Sequence, residues 1–465
     1  MVFSSLIFLF VFLPLIICLY YLSKDKYRNY LLLVASLFFY AWGEPTYIII
    51  MITSIIFNFL FGRQVSIENK RRKIWLIVSV IFNIGMLGVF KYTGFFIENI
   101  NSIFKLNIIN PQIALPLGIS FFTFQAMSYV IDVYRQDAKV QNNIFNMALY
   151  ISLFPQLVAG PIVRYQTIAD QIIDREHSLF KFERGLSRFI IGLSKKVILA
   201  NSLGLLADSA FSTNIEEIAI LSAWLGIISY SMQIFFDFSG YSDMAIGLGE
   251  MFGFEFLENF NYPYISKSAS EFWRRWHISL GSWFRDYVYI PLGGSRKGQV
   301  RTYINLFIVW FLTGFWHGAS WTFIAWGLYF GILIAMEKSF LEKILEKLWT
   351  PIRHIYLIII VMIGWIFFRA DNFNYAFGYI GSLFGSKEQL LYNSDTLRYI
   401  NDYWYILIIS MIGSTPLIKS LISKIQIKEN NIYYITKSLI LMTLFIYITI
   451  TLVNSTYNPF LYFRF

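Results

Sequence analysis

Four histidines stand in this chain, His177, His277, His317 and His354. Histidine titrates closest to neutral pH, which makes it the usual general base. His317 lies in Phe311-Leu312-Thr313-Gly314-Phe315-Trp316-His317-Gly318-Ala319-Ser320-Trp321, and no charged residue occurs between Arg301 and Glu337. An ionisable group inside an apolar run of that length is a candidate functional residue by default. The alternative is a neutral histidine that ties two helices by a hydrogen bond. Gly314 and Gly318 would let other groups approach closely. His277 has a different setting, in Glu271-Phe272-Trp273-Arg274-Arg275-Trp276-His277-Ile278-Ser279-Leu280-Gly281-Ser282-Trp283-Phe284-Arg285-Asp286-Tyr287. As a helix, this segment suits the cytoplasmic membrane interface, with aromatics in the headgroup layer and arginines toward phosphates. Trp273, Arg274, Arg275 and Arg285 are candidates for holding a phosphate-bearing donor; lipid anchoring is the competing reading. His177 and His354 lie in polar stretches and are assigned no chemical role.

Asp237 and Asp243 interrupt the apolar run Gln233–Asp243, and Pro155 and Pro161 break the run Phe154–Arg164. Both patterns fit irregular backbone around a cavity. The aspartates are candidates for orienting a histidine or shaping a tunnel. Seven of the 13 tryptophans fall between Trp273 and Trp326, including Trp316, as an aromatic tunnel lining would require. No metal site is expected: the two buried-run histidines are forty residues apart without a partner at ligand spacing, and Cys18 is the only cysteine. Nucleophile-elbow, phosphate-loop and dinucleotide motifs are absent.

The elements that must position these groups are membrane helices. The chain is 57% hydrophobic and 14% charged over 465 residues, against roughly 25% charged in soluble domains. So few charges cannot cover a water-soluble globule of this size. This excludes a soluble enzyme, a disordered chain and a nucleic-acid-binding protein, although the net charge is +10. The basic residues cluster between apolar runs, as cytoplasmic loops on anionic lipid do. Apolar stretches lie near 5–22, 30–43, 46–61, 74–90, 113–131, 145–162, 187–206, 218–236, 240–256, 273–292, 302–316, 318–336, 353–369, 403–421 and 433–452. A span needs ~20 residues. The expectation is an all-α polytopic protein with about 11–13 transmembrane helices, the remaining segments being re-entrant or interfacial. It is read as one integral membrane domain over 1–465, with a core at roughly 113–336 and C-terminal helices at 353–465. The first apolar run is read as a retained span, not a leader. Basic loops at Lys24–Arg28 and Arg63–Lys73 are placed in the cytoplasm, which puts Met1 outside. The stretch 337–353, charged in both signs, is expected to be solvated.

Several of these residues together resemble the membrane-bound O-acyltransferase (MBOAT) family, and within it the bacterial alginate O-acetyltransferase membrane subunits. They are Tyr262-Pro263-Tyr264-Ile265, the segment Phe272–Tyr287, and Ile290-Pro291-Leu292-Gly293-Gly294. Phe315-Trp316-His317-Gly318-Ala319, Phe236–Asp243, Gly160-Pro161-Ile162 and Gly364–Ala370 extend the likeness nearly end to end. The resemblance implies a ring of tilted helices around a central tunnel, with a thioester donor at the cytosolic mouth and an acceptor hydroxyl at the other. It implies His317 and His277 as the catalytic residues, His317 being the invariant one. No bound cofactor is implied; acetyl-CoA, or an acyl carrier protein thioester, is the donor substrate.

The implied function is export of acetyl groups across the bacterial plasma membrane for O-acetylation of an extracellular or cell-wall polysaccharide. The implied partners are an extracytoplasmic SGNH-hydrolase-like acetyltransferase, polysaccharide synthesis and export machinery and membrane lipids, with no nucleic acid. The rival readings are acyl transfer to teichoic acid, lipid or secreted protein by the same histidine, and a proton-coupled transporter or flippase. The aromatic tail Asn458–Phe465 resembles that of the small subunit that works with the teichoic acid D-alanyl transferase. From it Tyr462 is a candidate acyl relay, against a tail that only packs.

Overall fold

The computed structural model describes residues 1–157, 160–386, 389–426 and 431–461. Among the described residues the chain forms helices and turns, with no strand. This is the polytopic all-helical class that the composition demanded. Seven helices are long and apolar enough to cross a membrane: Ile48–Ser66, Arg72–Phe104, Leu179–Ser212, Ile220–Met251, Trp321–Leu345, Thr350–Arg369 and Ile432–Asn454. Ser394–Gly413 and Leu417–Lys424, bent by 65°, would make an eighth if they act as one span. The other stretches counted from sequence form shorter or more polar helices, such as Leu13–Leu22, Asp25–Gly43, Ile119–Arg135 and Gln299–His317. Exposed Ile, Leu and Val side chains along these helices are what a lipid solvent calls for.

The chain divides into two compact units. The first comprises Met1–Phe189 and Tyr241–Glu258. In it Ile119–Arg135 packs against Ile48–Ser66 and Arg72–Leu87, and Asp25–Gly43 packs against Ile144–Ser152. Ile48–Ser66 and Arg72–Leu87 are joined at depth by a reciprocal amide pair. Asn58 Nδ2 donates to Asn83 Oδ1 at 3.2 Å and Asn83 Nδ2 to Asn58 Oδ1 at 2.8 Å. Such intramembrane pairs contribute about 0.6 kcal/mol. The helix Ile144–Ser152 ends before Pro155, and 153–157 and 160–164 are non-helical, as the two prolines predicted.

The second unit comprises Ile190–Gly240 and Asn259–Phe465. The hairpin Gln299–His317 and Trp321–Met336 lies against Thr350–Arg369, and Asn201–Ser212 lies against Ser394–Gly413. Three expectations change. First, Ile220–Met251 is one continuous helix of 32 residues, so Asp237 and Gly240 do not mark irregular backbone. Gly240 serves a close helix crossing instead: a Cβ there would sit 2.7 Å from the Gly192 carbonyl oxygen. Second, the segment carrying His277 is not one interfacial helix. It is two seven-residue helices, Ala269–Arg275 and Ile278–Phe284, with His277 between them. Third, the stretch after 336 stays helical to Leu345, and Glu337 at its start is only 2% exposed.

Candidate active site

His317 ends the helix Gln299–His317 and is buried. Its ring is edge-on to Trp316 at 5.0 Å, Trp326 at 4.9 Å and Phe368 at 5.3 Å between centroids. Trp326 comes from the second arm of the hairpin and Phe368 from Thr350–Arg369. The close approach expected at Gly314 and Gly318 is present. A side chain at Gly314 would overlap the Phe323 carbonyl, and one at Gly318 the Phe323 ring. The turn between the arms is fixed by Ser320, whose side chain caps the next helix at Phe323 N–H.

His277 also lies near Trp316, with ring centroids 6.3 Å apart. Its backbone is left-handed, φ 45°, a conformation that costs a non-glycine residue about 1–3 kcal/mol and clusters at functional sites. Asn259, buried and eighteen residues earlier, holds it there. Asn259 Oδ1 accepts from Ser279 N–H at 3.2 Å and Ser279 Oγ at 2.9 Å, which identifies that atom as the oxygen. The same oxygen lies 3.1 Å from His277 Nδ1. His277 therefore carries its proton on Nδ1, and Nε2 is the basic nitrogen. The Asn259 carbonyl also accepts Ile278 N–H at 3.0 Å. Phe238 closes the other side of His277, edge-on at 4.6 Å.

Around both histidines stands an aromatic wall. Trp273 packs on Trp310 at 4.9 Å, Trp326 at 5.4 Å and Phe330 at 4.9 Å. Trp365 Nε1 donates to Tyr264 Oη at 3.2 Å, which in turn donates to the Ser231 carbonyl at 2.5 Å. Of the tryptophans concentrated in the sequence, Trp273, Trp276, Trp310 and Trp326 pack with Trp365 into one aromatic cluster in the second unit, whereas Trp321 is exposed.

The remaining candidates divide. Arg275 is committed to Glu271, at 2.9 Å, and to the Asn261 carbonyl at 3.2 Å, so it braces the helix Ala269–Arg275 against the chain that precedes it. Arg274 is exposed; Arg285 is exposed and pairs with Asp286 at 2.7 Å. Asp237 does not contact a histidine. It pairs with Lys196 at 2.6 Å. Asp243 belongs to the first unit, where Arg188 binds it at 2.9 Å and Glu258 at 2.6 Å. Tyr462 lies outside the described residues. His177 meets Tyr20 Oη at 2.8 Å, and burial, then Arg28 and Arg175, hold its imidazole below the ordinary range. His354 meets the Ser266 carbonyl at 3.0 Å. Among the described residues no group of His, Cys, Asp and Glu side chains could hold a metal ion.

Sequence reading missed Asn259 and Glu337. Glu337 accepts the backbone N–H groups of Ala269 and Ser270 at 2.7 and 2.8 Å, Ser270 Oγ at 2.7 Å and Tyr356 Oη at 3.2 Å. It caps the helix that carries Trp273 and leads into His277. Neither residue has a local pattern, because each acts across 18 or more positions of sequence. Glu337→Ala leaves those donors buried without their acceptor. A loss of about 2 kcal/mol or more is expected, read as a lower melting temperature in detergent. Glu337→Gln, which keeps one acceptor oxygen, should lose less.

Two buried histidines thus pack against one tryptophan inside an apolar helical protein. Residues 135–377 match the model of the membrane-bound O-acyltransferase family, MBOAT. The chain belongs to that family and is a multi-pass membrane O-acyltransferase. It is similar to two proteins named "Probable alginate O-acetylase AlgI". That of Azotobacter vinelandii is 44% identical, over 84% of this chain and 79% of the relative. That of Pseudomonas putida is 39% identical over the full length of both. The Peptidoglycan O-acetyltransferase of Helicobacter pylori is 35% identical, over 86% of this chain and 84% of the relative.

Proposed function

We propose that this protein moves acetyl groups from a cytosolic thioester across the bacterial plasma membrane for O-acetylation of an extracellular or cell-wall polysaccharide. The observation that carries the reading is the pairing of His277 and His317 about Trp316 within an aromatic wall. The names of relatives matched over most of the chain support acetyl as the group and an envelope polysaccharide as its destination.

In the proposed step a ring nitrogen of His317 takes the proton of an acceptor hydroxyl. The oxygen attacks the thioester carbonyl, the C–S bond breaks, and the thiolate leaves with that proton as a free thiol. A dry aromatic lining excludes water from the thioester and strengthens every polar contact inside it. His277, with Nδ1 held by Asn259, presents Nε2 to the same site. Arg274 and Arg285 are the donor-phosphate candidates that remain exposed. Acetyl-CoA or an acyl carrier thioester supplies the group. Tyr462 is proposed to take the acyl group on its hydroxyl as a relay, and an extracytoplasmic SGNH-hydrolase-like partner to place it on sugar, alongside the synthesis and export machinery. Met1 is placed outside and the basic loops inside.

The test is the acetyl ester content of surface and secreted polysaccharide in cells with and without the protein, at equal polymer yield. A loss of most acetyl ester is expected. Unchanged acetyl with a loss of D-alanyl esters from teichoic acid would replace this reading with the other acyl transfer.

A further inference from the structure

Two ion pairs in the second unit meet the same short piece of chain. Lys196 Nζ lies 2.6 Å from Asp237 Oδ1, with side chains 4% and 3% exposed. Asp237 Oδ2 accepts the backbone N–H of Leu461 at 2.9 Å. Lys196 donates to the Pro459 carbonyl and lies 6.0 Å from the Phe460 ring centroid. The second pair repeats the arrangement. Arg369 binds Asp208 Oδ1 at 2.7 Å, and Asp208 Oδ2 accepts the Tyr457 hydroxyl at 2.5 Å. Arg369 also lies over the rings of Phe211 and Tyr230 at 4.4 and 4.9 Å. Between the pairs, Asn201 Nδ2 reaches the Tyr457 carbonyl at 3.4 Å and Asn458 Oδ1 at 3.3 Å.

A buried ion pair is a poor source of net stability, because apolar residues of the same volume do as well. These two pairs do something that apolar residues could not. Lys196–Asp237 satisfies a backbone carbonyl and a backbone N–H of a non-helical segment in a low-dielectric place, and Asp208 of the second pair takes the hydroxyl of Tyr457 in the same segment. The held segment is bonded to a residue adjacent in sequence to one that packs on His277. Phe238, which packs on the His277 ring, directly follows Asp237 in the helix.

We infer that Lys196–Asp237 and Asp208–Arg369 form a two-point clamp that positions the segment Tyr457–Leu461 beside the histidine cluster. The four clamp residues are positioning residues for acyl transfer, and the inference rests on the proposed acyl-transfer reading. The clamp fixes the chain as far as Leu461, so the segment it holds is presented from one point of the second unit.

The test uses the full chain with Cys18→Ser and Leu461→Cys, labelled by a water-soluble maleimide; Leu461 is 4% exposed. Labelling is expected to be slow with the clamp intact, at least tenfold faster in Lys196→Met, and severalfold faster in Tyr457→Phe. In the Leu461 background, Lys196→Met should keep thioester hydrolysis within twofold while transfer to the acceptor falls tenfold or more. Lys196→Arg should restore transfer. Tyr457→Phe, which removes one hydroxyl, carries the test if Lys196→Met does not fold. Unchanged labelling in the folded variants, or hydrolysis and transfer falling together, overturns the clamp. His317→Ala should abolish thioester consumption and leave labelling unchanged, so failure of the acyl-transfer reading appears in a different assay.

Discussion

Cells carrying His317→Ala in place of the intact protein are expected to make polymer in unchanged yield with acetyl ester lowered ~100-fold or more. Positioned acid–base groups contribute about 10²–10⁴-fold, and the proposed step gives the proton of the oxygen nucleophile to His317. His317→Gln is the sharper variant. It keeps most of the volume between Trp316, Trp326 and Phe368, so packing is nearly preserved, yet an amide cannot take a proton. Alanine leaves a cavity against three aromatic rings and costs stability as well. If glutamine retains more than a tenth of the transfer at matched membrane abundance, His317 is not the base. His277→Ala is expected to lose about tenfold, because Asn259 fixes its tautomer while His317 still carries the proton transfer. The readout is acetyl ester on the polymer together with thiol release from the donor.

The position of His317 was legible because a titratable group without charged neighbours over 35 residues is expensive in lipid. The glycines beside it announced close packing for the same reason they always do: no Cβ. The setting of His277 was not legible. Its segment alternates rings and charges at spacings a single helix tolerates, and the break comes from Asn259, whose three hydrogen bonds leave no local trace. Asp237 and Asp243 looked like a pair. They are six residues apart on a continuous helix, so at 3.6 residues per turn they point about 120° apart and engage different basic residues. Glu337 looked like a solvated charge because sequence shows its charge and not the N–H groups that require it. Among the described residues seven to eight helices pass as spans by length and apolarity. Of the others, Asp25–Gly43 and Gln299–His317 are as long as a span but less apolar, and Leu13–Leu22 is shorter.

Gly327→Ala is expected to lower transfer ~100-fold while the protein still reaches the membrane. The two arms of the hairpin cross at Gly314 and Gly327 with backbone against backbone. A Cβ at Gly327 would overlap the Trp310 carbonyl oxygen and lie 3.0 Å from Gly314 Cα. Neither obstacle is a side chain that can swing aside, so the helices must separate. Overpacking of this kind costs about 1–3 kcal/mol, which is tolerable for folding. Geometry is less forgiving. His317 lies three residues beyond Gly314 on one arm, and Trp326, which holds its ring at 4.9 Å, immediately precedes Gly327 on the other. Separation of the arms by ~1 Å therefore moves the base relative to its wall, and a misplacement of that size costs about 100-fold. Gly281→Ala is the matched control, since a Cβ there meets only the Trp273 carbonyl at 3.8 Å; it should keep near-full transfer. The effect should appear in kcat more than in the KM for donor, because the hairpin crossing sets the base and not the exposed arginines. If Gly327→Ala transfers as well as Gly281→Ala, the crossing does not set the position of His317, and the aromatic wall must be held from Thr350–Arg369 alone.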